Sequence, residues 1–289
     1  MVDLNGHKEI DRIEFSKELV FTLFGLGILA LFAFGSLFLY IYSQITGKFG
    51  GTIDLLDTFD IILGILLFVG TLILHELIHG IFVSMYGGKP RYGAEIYSIL
   101  PYFYTTTKSI FPRNLWIIIY IAPLAVISII GVAAMAAFPS IAHWILLPLV
   151  VNASGSVGDM WMTRILLRYP GHIFVEDQIT GTIIYGKEMD KPVNVYAAGF
   201  GSKFLKGFIV SFLAMSIFVT IMQVALDIIG VGSFTIGPQN SPFTIFEYNS
   251  PNDNKELIYN FLFMPILSIS IIVGLVYGIF TIQNRLFHL

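Results

Sequence analysis

The chain has 289 residues, of which 56% are hydrophobic and only 12% charged. A soluble domain carries about 25% charged residues, so most of this length belongs in lipid. The net charge of -3, with no basic cluster and no basic–aromatic interleaving, speaks against a nucleic-acid surface, and the absence of cysteine excludes disulfides, thiolate metal sites and cysteine nucleophiles.

The first 18 residues are polar and mixed in charge, with Asp3, His7, Lys8, Glu9, Asp11, Arg12, Glu14, Lys17 and Glu18. This is not the pattern of a cleavable signal, so the first apolar run is expected to act as an uncleaved anchor. Apolar length predicts six membrane spans: Leu19 to Tyr42, Phe59 to Tyr86, Leu115 to Phe138, His143 to Arg168, Phe208 to Ile229 and Ile258 to Ile282. Pro123 interrupts the third. The fourth contains Pro148, Asn152 and Asp159.

The connecting segments carry the charges unevenly. With Arg164 and Arg168 counted on their side, 14 of the 16 Lys and Arg fall on one side of the six-span arrangement, and only Lys48 and Lys255 on the other. The positive-inside rule then places both termini in the cytoplasm. Two connections have β character. Gly87 to Asn114 is rich in turn residues and in Tyr, Ile, Phe and Thr, which predicts a hairpin or strand, although its aromatic residues, Tyr102 and Tyr104 among them, also suit an interfacial belt. His172 to Lys187 alternates like a small hairpin around Thr180-Gly181. The outer loop from Gly230 to Lys255 is expected to be irregular.

Ionisable side chains inside a bilayer are costly and mark candidate functional sites. The second span holds His75-Glu76-Leu-Ile-His79, and the fourth holds Asp159. On a helix, His75 and His79 lie one turn apart on a shared face, so both imidazoles can hold one metal ion. Glu76 lies beside them, where a carboxylate can take a proton from an attacking water. His75 follows Phe59 by 16 residues, and Asp159 follows His143 by 16. Both spans run inward, so both positions lie roughly 24 Å from the outer face, in the cytoplasmic half. His75, His79 and Asp159 are therefore candidate ligands for Zn2+. Around Asp159, the run from Pro148 to Gly158 is full of helix weakeners, tolerable in a membrane only where protein or water satisfies the backbone. Asn152 lies two turns before Asp159, and its amide is a candidate oxyanion donor. The alternative reading of Asn152 and Asp159 is interhelical hydrogen bonding, and of Ser154, Gly155, Ser156 and Gly158 a small-residue packing face.

His75-Glu76-x-x-His79 together with Asn152…Asp159 resembles the intramembrane metalloproteases of the site-2 protease type, and more narrowly the zincin peptidase family of membrane proteins. The resemblance covers about Phe59 to Arg168. It implies an all-α polytopic membrane protein in which a three-helix zinc metalloprotease core is flanked by further spans and short cytoplasmic β-hairpins. It implies His75, His79 and Asp159 as zinc ligands, Glu76 as the residue that activates water, and a membrane-embedded or membrane-proximal protein as substrate. The chain departs from the site-2 pattern in having no proline between Asn152 and Asp159 and in having Met160 after the aspartate. On this reading 1–58 is an N-terminal segment with the first span, 59–168 the catalytic membrane core, and 169–289 a cytoplasmic loop with the last two spans. A metal transporter and an inactive, protease-like membrane scaffold are the alternatives.

Overall fold

A computed structural model describes residues 6–48, 58–97, 100–179, 181–193, 200–237, 246–248 and 263–286. Its contacts divide the chain into two units, Met1–Tyr196 and Ala197–Leu289. The segment after the fourth span packs with the preceding helices.

The first unit begins with strand β1 (Lys8–Glu14) and helix α1 (Lys17–Thr46). Ser16 starts α1 by accepting a hydrogen bond from the Leu19 amide at 3.2 Å, which satisfies one of the free N–H groups of the first turn. Gly47, at φ 68°, ends it in the left-handed conformation that glycine adopts without strain. Helix α2 (Thr58–Met85) follows, then strands β2 (Arg91–Tyr97) and β3 (Leu100–Thr106), the short β4 (Ile110–Pro112) and helix α3 (Arg113–Ala137). The fourth span is broken. A 3-10 turn (Pro139–Ile141) leads into α4 (Ala142–Gly155), and α5 (Val157–Leu166) resumes after Ser156. Strands β5 (Phe174–Gln178) and β6 (Gly181–Gly186) complete the unit. The second unit holds α6 (Phe200–Ile229), strands β7 (Phe234–Ile236) and β8 (Phe246–Tyr248), and α7 (Phe263–Leu286).

Among the described residues, five helical segments are long and apolar enough to cross a membrane: Lys17–Thr46, Thr58–Met85, Arg113–Ala137, Pro139–Leu166 and Gly201–Ile229. This is a multi-pass membrane protein by length and composition. The sixth expected span overlaps α7, whose apolar part among the described residues is Ile266–Gly278. The helices show large apolar residues outward, among them Leu66, Ile129 and Phe218. That pattern suits lipid, where the backbone must satisfy itself and outward side chains need no polar cover.

Three segments differ from expectation. Helix α6 begins at Phe200, so Lys203 and Lys206 are helical instead of preceding the helix. The outer loop contains the antiparallel pair β7–β8, Phe234 opposite Tyr248, while its other residues from 238 to 245 and 249 to 255, Lys255 included, lie outside the described residues. The largest difference is β1. The polar N-terminal segment is a strand of a four-stranded sheet in the order β1-β6-β5-β4. The expected hairpin at 172–187 is present as β5–β6, with Gln178 paired to Gly181 and Thr180 outside the described residues, but it sits inside that larger sheet. The expected hairpin at 87–114 is the separate pair β2–β3. The side chain of Tyr102 lies outside the described residues.

The sheet is fixed to the helix ends by a compact apolar core. Ile13, Val175, Ile184, Trp116, Leu166 and Tyr169 are all at most 2% exposed and share one cluster. In its sheet portion each buried aliphatic side chain contributes about 1.5–3 kcal/mol. Trp116 Nε1 donates to the Val175 carbonyl at 2.8 Å, and Arg113 N donates to the Ile173 carbonyl at 3.0 Å, so the first turn of α3 is tied to β5 and the turn before it.

The β1–β6 pairing depends on a close backbone approach. A Cβ built at Gly181 would lie 2.2 Å from the Ile13 carbonyl oxygen and 3.1 Å from Glu14 Cα, both backbone atoms. Gly181→Ala is therefore expected to force β1 away from β6 at a cost of about 1–3 kcal/mol. Limited proteolysis would report this as faster cleavage within residues 8–16, together with a lower unfolding midpoint in detergent.

Candidate metal centre

Local sequence builds most of the site. Helix α2 runs without interruption through Thr71–Gly80, so the four-residue spacing of His75 and His79 becomes one shared face. Their ring centroids lie 4.8 Å apart, edge to face, and the two Nε2 atoms are 3.2 Å apart. The weak run Ser154-Gly155-Ser156-Val157-Gly158 breaks the fourth span at Ser156. Its hydroxyl folds back onto the Asn152 carbonyl at 2.8 Å, and a new helix starts at Val157. Asp159 thus stands in the first turn of α5, where the free amides and the helix dipole favour a carboxylate.

From there Asp159 reaches both histidines. Its Oδ2 is 3.1 Å from His75 Nε2, and its Oδ1 is 3.5 Å from His79 Nε2. Ligand atoms of all three residues lie within 4.8 Å of one another, and among the described residues this is the one group of three or more His or carboxylate side chains so arranged. The three are mostly buried, at 12%, 9% and 17% side-chain exposure for His75, His79 and Asp159. Helices α2 and α5, far apart in sequence, therefore converge at these three side chains.

The far nitrogens of the two rings are held differently. His79 Nδ1 lies 2.8 Å from the Ile119 carbonyl of α3. A carbonyl only accepts, so the proton of the neutral ring is on Nδ1. His75 Nδ1 lies 2.9 Å from Asn152 Oδ1. The Asn152 amide nitrogen donates to the Pro123 carbonyl at 3.2 Å, which fixes the orientation of the amide and makes His75 Nδ1 the donor to its oxygen. Asn152 is 1% exposed, with both ends of its amide engaged. Asn152 and Asp159 thus grip opposite nitrogens of one imidazole.

This donor set suits a metal. In the neutral rings both Nε2 atoms carry lone pairs, and they face each other and a carboxylate with no hydrogen between them. A cation at their centre satisfies all three, and two imidazoles with one carboxylate are a known zinc set that leaves a fourth position open.

Glu76 occupies the next position on α2. Its backbone carbonyl accepts a hydrogen bond from Thr105 Oγ1 of β3 at 2.8 Å. The β2–β3 hairpin therefore lies along the ligand-bearing turn. It lies close because residue 80 is glycine: a Cβ there would sit 1.9 Å from the Tyr92 hydroxyl of β2.

Sequence reading did not find Tyr120 and Asp177. Tyr120 packs edge to face on His79 at 6.4 Å and donates to Asp177 Oδ1 at 3.0 Å. Thr182 donates to the same oxygen at 3.3 Å, and Thr106 Oγ1 donates to the Asp177 carbonyl at 2.9 Å. Asp177 is the fourth residue of an ordinary short strand, and no spacing rule ties it to a histidine about a hundred positions earlier.

The family model described as "Putative zincin peptidase" matches residues 68–174. The match takes in both histidines, Glu76, α3, Asn152 and Asp159, and it agrees with the segment on which the sequence resemblance rests. It associates this segment with a metallopeptidase family and, through the zincin name, with zinc. No curated protein and no solved structure matches the chain.

Asp177 yields a pH prediction. Burial raises its carboxyl to about 7, against hydrogen bonds from Tyr120 and Thr182 that lower it. In the unfolded chain the group titrates near 3.9. The folded state therefore binds the proton more tightly, and the resulting stability is full below about pH 4 and lost as pH rises through 7. Asp177→Asn keeps an acceptor for Tyr120 and cannot ionise. Unfolding midpoints in detergent from pH 5 to pH 8 should fall more steeply with pH for the wild type than for this variant. Equal slopes would place the ionisation elsewhere.

Proposed function

We propose that the chain is an intramembrane zinc metallopeptidase that hydrolyses peptide bonds of membrane-embedded or membrane-proximal protein segments. The observation that carries this reading is the convergence of His75, His79 and Asp159 beside Glu76. The match of residues 68–174 to a zincin peptidase family supports it.

His75, His79 and Asp159 would hold the zinc ion. When bound there, zinc acidifies water and polarises a carbonyl. Glu76, one residue after His75, takes the proton of the attacking water and returns it to the leaving amine. Asp159 contributes negative charge, and Asn152 acts as a positioning residue that orients His75. The low-dielectric surroundings strengthen each of these interactions relative to water.

A peptide must be extended to be cut, and an extended segment left in lipid needs partners for its backbone. The β2–β3 pair meets that need. It forms a two-stranded sheet, so each strand has an outer edge, and Thr105 ties β3 to the Glu76 turn. Strand addition there would satisfy the substrate backbone beside the catalytic carboxylate. The charge asymmetry of the connecting segments supports a site in the cytoplasmic half of the bilayer, with both termini cytoplasmic. The lipid bilayer and a membrane protein substrate are the partners this reading requires.

The test uses purified protein in proteoliposomes with a transmembrane reporter. Glu76→Gln should lower cleavage by about 10²–10⁴-fold and leave zinc content unchanged. Asp159→Ala should lower both zinc content and cleavage. Cleavage retained in Glu76→Gln, or zinc flux without cleavage in the wild type, would overturn the assignment.

A further inference from the structure

Helix α3 contributes no candidate metal ligand, yet both histidine anchors end on it. His79 reaches the Ile119 carbonyl directly, and His75 reaches the Pro123 carbonyl through Asn152. These two carbonyls are four residues apart on one helix and so share a face. Inside a helix, the carbonyl of residue 119 would ordinarily accept from the amide of residue 123. Residue 123 is proline, inside α3, and has no amide hydrogen. The Ile119 carbonyl is thereby left without the amide donor of residue 123, and Ile119 is 1% exposed. The His79 imidazole supplies the missing hydrogen.

From this we infer that Pro123 is a positioning residue for the metal centre: by lacking an amide hydrogen it releases the Ile119 carbonyl to His79, and by its own carbonyl it anchors Asn152 and hence His75. The inference rests on the metallopeptidase reading for the identity of the bound ion. It deepens that reading by assigning the tautomer of both ligands to one residue on a helix that donates no ligand. With Nδ1–H held on each ring, each Nε2 keeps its lone pair for the metal. In competition with the helix, the His79 hydrogen bond persists because residue 123 cannot make the helical one. An alanine at 123 restores the competitor.

Alanine is also the better helix former, so the substitution has opposite expected effects on two measurable properties. The experiment compares wild type, Pro123→Ala and Pro148→Ala in detergent. Zinc affinity is read by competition with a chromogenic chelator, and the unfolding midpoint is read on metal-free protein. Pro148 lies inside α4, and among the described residues the carbonyl four positions before it holds no site residue. Pro123→Ala should bind zinc about 10–100-fold more weakly, the usual effect of losing an outer-shell partner, with an unchanged or higher midpoint. Pro148→Ala should bind zinc as the wild type does. Unchanged affinity in Pro123→Ala overturns the inference, and so does a joint fall of affinity and midpoint, which marks a packing role.

A second measurement needs no substitution at the proline. Imidazole 15N shifts of metal-free wild-type protein, assigned with His75→Gln and His79→Gln, should report Nδ1–H on both rings, and a His79 Nδ1 that carries no hydrogen overturns the inference. Failure of the metallopeptidase reading looks different: the wild type would then bind no zinc, or bind it without cleaving the reporter.

Discussion

Everything in the first unit depends on keeping two imidazoles and a carboxylate together in an apolar setting. Each of these groups is expensive there if any polar atom is left over. The solution is complete. Each imidazole has one nitrogen on a hydrogen-bond partner and the other aimed at Asp159. The remaining demand at the centre is for a positive charge, which a divalent ion meets. On the proposed reading, a bound metal ion is thus what makes this arrangement of buried groups tolerable.

The break in the fourth span serves the same end. A continuous helix would carry Asn152 and Asp159 about two turns apart on one face, at different heights relative to one ring. With the interruption at Ser156, Asn152 meets Nδ1 of His75 and Asp159 meets Nε2. The weak residues Ser154 to Gly158 lower the cost of the break. The new helix start then provides free amides near a carboxylate that needs them.

Much of this was legible in the sequence, for local reasons. Helical spacing put His75 and His79 on one face, and length and apolarity fixed the starts of α2 and α3 to within a few residues. Asp159 was legible as an ionisable residue inside an apolar span, at a spacing from the start of its span that matches that of His75. The partners of the imidazoles were not legible. The Ile119 acceptor is a backbone carbonyl, and nothing in the identity of isoleucine announces it. For Asn152 the residue was visible but its direction was not: its amide nitrogen faces the Pro123 carbonyl, an acceptor set by the packing of α3 on α4. Strand β1 was hidden because KEIDRIE shows no apolar alternation, and of its seven residues only Ile13 is fully buried. Its pairing is decided by β6, about 170 positions away.

The sheet gives β1 a bearing on the site. β1 pairs with β6, β6 with β5, and Asp177 of β5 holds the Tyr120 hydroxyl one residue beyond the Ile119 carbonyl. Trp116, one turn earlier on α3, is tied to β5 through the Val175 carbonyl. The sheet therefore sets the height and rotation of α3 against α2. A slip of one residue along α3 would shift it by about 1.5 Å and turn it by roughly 100°, carrying both acceptor carbonyls away together because they lie on a single face. His79 and the Asn152 amide would then lose their acceptors, each at the cost of a buried, unsatisfied N–H. Since that alternative is penalised twice, α3 has one favourable register, and the sheet that secures it belongs to the metal centre as much as the helix that carries the ligands.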